Sequence, residues 1–170
     1  MRTFHAIALT LFTLTAAVLM PASAQTQAPT FEAKSLTTET ALVAAKAALE
    51  SCRKQGFQVA VAVVDRAGLA QVFLRDRFAG AHSIDVATGK AWTAASFRQA
   101  TAMLAQETQP GKPMSGLRDA PHMMAVAGGL PIEGGGNFFG AIGVSGAPGG
   151  DADEACAKVG IAAVSEAIEF

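Results

Sequence analysis

The chain has 170 residues, of which 51% are hydrophobic and 16% are charged, and its 13 basic and 14 acidic side chains leave a net charge of −1. This is the length of a single domain that buries most of its apolar surface without help. The balanced charge argues against nucleic acid or an anionic membrane surface as a partner.

The first 24 residues have the pattern of a secretory signal peptide. Arg2 supplies a positive start, residues 7–20 form an apolar core, and residues 22–24 (Ala-Ser-Ala) are a small-residue cleavage motif. The apolar core is too short to cross a membrane comfortably. We therefore predict cleavage after Ala24 and a periplasmic or secreted protein that is not inserted in the membrane. Residues 25–35 would be a flexible tether, and 36–170 a single domain.

The domain is predicted to begin with a helix and a hairpin. Thr37 or Thr38 offers the N-cap oxygen of a first helix, which Gly56 ends. Two apolar runs follow at 59–65 and 69–75, and the three residues between them include a glycine. This spacing predicts a β-hairpin.

The next helix is rich in small residues. Apolar side chains recur at spacings of three and four and mark a core-facing stripe: Ile84, Ala87, Ala91, Ala94 and Phe97. A second, polar face has little bulk and carries His82, Asp85, Gly89, Thr93 and Ser96. A ligand could therefore lie against this second face.

The remainder predicts a short helix at 101–107, a Pro/Gly-rich loop at 109–119 and a second hairpin around the GGGN turn. Asp151 or Asp153 would cap a last helix. Hairpins make antiparallel neighbours, and the helices need apolar surface to cover. This order of elements predicts an α+β fold with an antiparallel sheet covered on both faces.

Three stretches resemble one known family: VVDRAG at 63–68, LRDRFAGAHSIDVATGKAWTAASF at 74–97, and GGLPIEGGGNFFGAIGVSGAPGGDADEACAKVGIAA at 128–163. They are similar to the GlcG/HbpS-like haem-binding family, in particular its exported branch, and the resemblance extends over residues 36–170. It implies a profilin-like fold, with a five-stranded antiparallel sheet between helices in three α/β/α layers. We expect the fifth strand at residues 123–127. The resemblance also implies haem or a related tetrapyrrole as ligand, a homo-oligomer, and a role in haem scavenging, buffering or redox sensing.

The expected cofactor-binding residues are His82, Asp85, Lys90, Arg98, Thr101 and His122. His82 is the first candidate for ligand to the haem iron, since histidine commonly fills that role, and Asp85, one turn later, could orient its ring. His82 could equally be an exposed residue at a helix start.

The other expected residues have less specific roles. Lys90 and Arg98 could meet haem propionates, or each could be a solvated helix charge or a salt-bridge partner. Thr101 corresponds to the hydroxyl of the family's Phe-x-x-Pro-Thr pattern, although the proline is absent here. His122 is an alternative iron ligand, as are the nearby methionines Met114, Met123 and Met124. No catalytic residue is assigned. A non-haem metal site at His82 and Asp85 would lack a third ligand.

Two further functions and one covalent question stay open. The family's broader label implies an oxidative haem-degrading enzyme. Some relatives occur beside glycolate-utilisation functions, which implies a binder of small organic acids, and Lys90, Arg98 and residues 149–151 could hold a carboxylate. Cys52 and Cys156 either form a disulfide that closes a long loop or are two separate buried thiols.

Overall fold

A computed structural model describes residues 28–170. This part of the chain forms α1 (Thr38–Lys54), β1 (Ala60–Val64), β2 (Ala70–Arg75), α2 (Ser83–Phe97), α3 (Thr101–Glu107), β3 (Gly129–Gly134), β4 (Asn137–Ser145) and α4 (Gly150–Ala162). Short 3-10 helices lie at Ser115–Asp119 and Ser165–Ile168. None of the helices in this part of the chain is long and apolar enough to span a bilayer. The predicted signal peptide and the first residues of the predicted tether lie outside the described residues.

The sheet is antiparallel, as predicted. Its strand order is β2-β1-β4-β3, so each predicted hairpin forms and the two hairpins join through β1 and β4. All five residues of β1 are buried, because this central strand is covered on both faces. The mixed α+β class is therefore confirmed.

Helices cover the two faces of the sheet separately. Val61 and Val63 of β1 belong to the core cluster that contains α1 and α4. Ala60, Ala62 and Val64 belong to a second cluster with the buried alanines of α2. Since alternate residues of a strand point to opposite faces, α1 and α4 lie on one side of the sheet and α2 lies on the other.

The prediction of five strands is wrong, because the sheet of the described residues has four. In the segment 123–127, where the fifth was expected, the backbone N–H groups are used elsewhere. Met124 donates its N–H to the Thr93 hydroxyl on α2, at 2.8 Å. Met123 and Val126 donate theirs to carbonyls two or three residues earlier in the chain. The segment therefore turns across α2 and makes no ladder with a strand.

Helix α2 packs unusually close to β4 because Gly143 has no side chain. A Cβ at this position would lie 2.2 Å from the Ala87 carbonyl oxygen and 2.6 Å from the Ala91 nitrogen. Ala87, Ala91 and Ala94 are fully buried, as the predicted stripe requires, whereas Ile84 of the same stripe is 42% exposed. The stripe prediction is thus correct in the middle of the helix and wrong at its start.

Cys52 of α1 and Cys156 of α4 form a disulfide, with their Cα atoms 5.6 Å apart. The two residues are 104 positions apart in sequence. In the chain-entropy description, a loop of this size stabilises the folded state by about 4–5 kcal/mol. Of the two alternatives that the sequence left open, the structure has the bridge.

Candidate functional site

A cavity of about 420 Å³ lies between α2 and the segment 122–124. It is lined by Asp85, Thr88, Gly89, Trp92, His122, Met123 and Met124. The four helical residues are spaced by three, one and three positions, so they form one stripe on α2. Asp85 and Gly89 of this stripe belong to the low-bulk face that the sequence predicted as a ligand surface, whereas Thr88 and Trp92 were not part of that prediction.

Two small features of α2 hold the segment in place over the helix. At Gly89 an added Cβ would lie 3.1 Å from Met124 Cβ and 3.5 Å from the His122 carbonyl oxygen, so a larger residue would push the segment away. One turn later, the buried Thr93 hydroxyl accepts the Met124 N–H. Together they set the distance between helix and segment, and hence the width of the cavity.

His122 presents its side chain from an uncommon backbone conformation. Its φ is 67°, a positive value that is uncommon for residues other than glycine, although histidine, asparagine and aspartate adopt it more often than the rest. Its imidazole lies 5.7 Å from the indole of Trp92, centroid to centroid, with the ring planes at 54°. Left-handed conformations of such residues cost free energy and cluster at functional sites, so this histidine is a strong candidate for a ligand-binding role.

Trp92 is a site residue that the sequence reasoning missed. Besides lining the cavity, its indole lies against Gly68 in the β1–β2 turn, where an added Cβ would be 2.9 Å from Trp92 Cδ1. The helical spacing of the sequence could have identified Trp92, because it lies seven residues after Asp85 and therefore on the same side of the helix. It is also the only tryptophan of the chain.

Of the six predicted site residues, the structure brings Asp85 and His122 together at the cavity. His82 lies outside the lining, as the exposed residue immediately before α2. Its ring packs over Gly80, where an added Cβ would be 2.7 Å from His82 Cε1. It makes no capping hydrogen bond with its side chain. Its predicted role as iron ligand therefore stays a prediction.

Lys90 has a structural contact in place of the predicted contact with ligand carboxylates. Its side chain is 2% exposed, and its ammonium lies 2.8 Å from Asp153 Oδ2 at the start of α4. It also donates to the Val144 carbonyl at 2.9 Å. Burial raises the pKa of the Asp153 carboxyl above its ordinary value, although the hydrogen bond and positive charge of Lys90 oppose that rise.

Thr101 and Arg98 also lie outside the cavity lining. Thr101 is fully buried, and its hydroxyl accepts the Gly129 N–H at 2.8 Å, which fastens α3 to the start of β3. Arg98 follows the last residue of α2, about 20 Å along the helix from Asp85 at 1.5 Å per residue. The carboxylate site predicted from Lys90, Arg98 and residues 149–151 is not formed, because Lys90 is paired with Asp153 and Arg98 lines a different cavity.

The chemistry of the cavity suits a flat apolar ligand with one coordinating contact. Trp92, Met123 and Met124 offer broad, polarisable apolar surface. The imidazole of His122 offers a nitrogen that can donate, accept or bind a metal. Asp85 is the acidic side chain of the lining, and no lysine or arginine accompanies it. Among residues 28–170, no group of three or more His, Cys, Asp or Glu side chains is arranged to hold a bare metal ion.

Comparison with known proteins gives consistent matches over nearly the whole described chain. The family model described as "Haem degrading protein HbpS-like" matches residues 36–162. A double mutant of HbpS from Streptomyces reticuli has a TM-score of 0.75 and 40% identity, covering 85% of this chain and 99% of the other. Protein ORFY of Klebsiella pneumoniae has a TM-score of 0.78 and 27% identity, covering 81% and 96%. A PduOC:heme complex has a TM-score of 0.72 and 30% identity, covering 76% and 94%.

Proposed function

Because the chain belongs to the HbpS-like family, we propose that it binds haem or a related tetrapyrrole in the cavity between α2 and residues 122–124. The observation that carries the proposal is that Asp85, Trp92 and His122 converge on one cavity of about 420 Å³. A heme complex of a relative with the same fold and 30% identity supports the same class of ligand.

The residues of the cavity fit the proposed ligand in size and surface. Pockets for small molecules and cofactors commonly span about 300–1,000 Å³ and are lined mainly by apolar and aromatic side chains. Trp92 and the two methionines supply such surface on either side of the cavity. Bound haem would supply an iron centre that accepts an axial ligand and changes oxidation state.

We assign the iron contact to His122 in preference to His82. His122 lines the cavity and is held in a strained backbone conformation, whereas the His82 ring is turned onto Gly80. Asp85 would repel the haem propionates, because its carboxylate carries a charge of the same sign. With no cation in the lining, the propionates would point out of the cavity toward water.

We also propose that the protein is exported and acts in haem scavenging, buffering or redox sensing. Support for export comes from the signal-like pattern of residues 1–24 and from the Cys52–Cys156 disulfide, since disulfides persist mainly in oxidising compartments. We also propose self-association into a homo-oligomer, for which the large exposed apolar side chains of Leu69 and Phe78 would supply contact surface.

Oxidative haem degradation is the second candidate function, favoured by the description of the family that matches residues 36–162. Such an enzyme needs an open coordination position on the iron and an external reductant. His122 would hold the iron from the cavity lining, and bound haem would supply the oxygen chemistry of such a reaction. The two functions differ in outcome, since a carrier keeps its haem intact under conditions in which an enzyme destroys it.

The test is a titration of the purified protein with haemin, followed at the Soret band, with two matched histidine variants. We use His122→Asn, because asparagine tolerates the left-handed backbone, and His82→Ala as the control at a second exposed histidine. We expect saturable, stoichiometric binding in the wild type. The Soret maximum should shift and the affinity should fall at least about tenfold in His122→Asn alone, as the loss of one strong contact predicts.

Each alternative result has a distinct meaning. If His82→Ala loses the Soret shift while His122→Asn binds haemin as the wild type does, the iron contact belongs to His82. That result would refute the assignment to this cavity. Unsaturable binding in the wild type would refute the haem proposal itself. Adding a reductant in the presence of oxygen then separates carrier from enzyme, because bleaching of the Soret band with release of iron occurs only if the haem is degraded.

A further inference from the structure

A second cavity of about 560 Å³ lies where α2 ends beside the turns of both hairpins. Arg98 enters it from the end of α2, Arg66 from the β1–β2 turn, and Asn137 and Phe138 from the start of β4. Three segments that are distant in sequence thus converge on this cavity. Its lining shares no residue with the cavity of the proposed haem site.

Two arginines that line this cavity each lie close to the same aromatic ring. The guanidinium carbon of Arg66 lies 5.6 Å from the centroid of the Phe138 ring, and that of Arg98 lies 5.1 Å from it. Each contact is favourable by itself, because a cation is attracted to the face of a ring. The two like charges nevertheless repel one another, so the arrangement is stabilised by any anion that binds between them.

No acidic side chain among residues 28–170 neutralises either arginine. The salt bridges in this part of the chain use Arg53, Lys90 and Lys158. Glu133 lines the same cavity but forms no ion pair with Arg66 or Arg98. Two guanidinium groups and one carboxylate thus line this mainly polar cavity and give it a net positive charge.

The side chain of Arg66 and the backbone of Arg98 are held by hydrogen bonds. Arg66 donates from Nη1 to the Phe138 carbonyl, which fastens the arginine side chain to β4. Nη1 also makes a 3.5 Å contact with the Lys34 carbonyl. The guanidinium makes no other hydrogen bond to a described residue. Arg98 has a φ of 50°, in the left-handed region, and its own N–H closes the helix on Ala94. The guanidinium of Arg98 makes no hydrogen bond to any described residue.

We propose that this cavity binds the oxyanion of a small molecule, a carboxylate or a phosphate, between Arg66 and Arg98. The planar guanidinium fork matches both groups, because it can donate two parallel hydrogen bonds to two oxygens. Asn137 also lines the cavity, where its amide donates to the Gly135 carbonyl at 2.9 Å, and the Phe138 ring adds apolar surface. The site does not depend on haem binding, because neither arginine lines the haem cavity.

The test is isothermal titration of the protein with inorganic phosphate and, separately, with succinate, at constant ionic strength set with chloride. Arg98→Asn removes the charge while keeping a residue that tolerates the left-handed backbone, and Arg98→Lys keeps the charge without the fork. Arg77→Asn is the matched control, since Arg77 is exposed and has no contact with the cavity.

We expect saturable binding of at least one of the two anions, weakened about tenfold or more in Arg98→Asn. Arg98→Lys should be intermediate, and Arg77→Asn should equal the wild type. The anion that binds more tightly identifies the chemical class. Equal affinities in wild type and Arg98→Asn, or no heat beyond the chloride control for either anion, would overturn the proposal. The haemin titration of Arg98→Asn should match the wild type, which separates failure of this site from failure of the haem site.

Discussion

The buried ion pair between Lys90 and Asp153 links α2 to the start of α4, and its removal is the most demanding test of the structure. We expect Lys90→Met to destabilise the fold strongly, because it leaves the Asp153 carboxylate buried without its cation. The two side chains are only 2% and 5% exposed, and their charged atoms are 2.8 Å apart. Breaking such a pair from one side typically costs about 3–5 kcal/mol.

The size of the effect sets the assay. A domain of this size is commonly stable by about 5–15 kcal/mol, so the variant should still fold. With a urea slope of about 1–3 kcal/mol per molar, a loss of this size lowers the unfolding midpoint by about 1–5 M. The double variant Lys90→Met/Asp153→Asn should recover most of the loss, because both charges are then gone. The amide oxygen of the substituted side chain can still accept the Ala147 N–H that Asp153 accepts at 3.0 Å.

The pH dependence has a definite sign. Removing Lys90 removes what holds the pKa of Asp153 down, so the pKa of this carboxyl rises further above that of the unfolded chain. The folded variant then takes up a proton at a pH where the wild type does not, and its deficit in unfolding free energy shrinks as the pH falls. Two results would show that the pair is not buried as described. One is a deficit in unfolding free energy below about 1 kcal/mol at pH 7, well under the cost of breaking a buried pair. The other is a deficit that grows on acidification.

Three further predictions concern other contacts. Thiol titration of the unfolded, unreduced protein should find no free thiol at Cys52 or Cys156, and two titratable thiols would disprove the bridge. Reduction of the bridge should lower the unfolding free energy by about 4–5 kcal/mol. Gly143→Ala should destabilise the fold by about 1–3 kcal/mol through overpacking against α2. The control Gly116→Ala should leave the unfolding free energy nearly unchanged, because no atom lies within 4 Å of the added Cβ. Equal losses in the two variants would refute the close approach of α2 to β4. Thr93→Val should cost about 1–3 kcal/mol by stranding the Met124 N–H and should weaken haemin binding, and an unchanged affinity would separate this contact from the cavity.

Local patterns in the sequence were sufficient for the elements, because each has a short-range cause. The three residues at 66–68 predict the first hairpin through their length and glycine, and the alanine spacing in α2 predicts its buried side. Both are present in the structure. The expected fifth strand at 123–127 failed because its N–H groups find partners on α2 and in local turns, and no local pattern encodes a partner that is about thirty residues away.

The site residues were harder to predict for the same reason. His82 and Asp85 lie on one helix, so the sequence could place them near each other, but it could not show that the His82 ring turns away onto Gly80. For Lys90 the sequence left a salt bridge as one alternative, and only the folded chain shows that Asp153 is its partner. His122 and Trp92 are thirty residues apart, with α3 between them, so their pairing at the cavity follows from tertiary structure alone.

Helix α2 joins the stability of the fold to the geometry of the cavity. Its small inner residues let it pack directly on the backbone of β4, and Lys90 and Thr93 fix its position relative to α4 and to the 122–124 segment. Gly89 lies beside Lys90, and Thr93 follows Trp92, so two of the four cavity residues on α2 have a buried anchor as their neighbour in sequence. A side chain held by such anchors loses little further freedom when a ligand binds. The buried polar contacts of α2 therefore serve binding by keeping the cavity open in the free protein, and changes that loosen them should weaken the ligand as well as the fold.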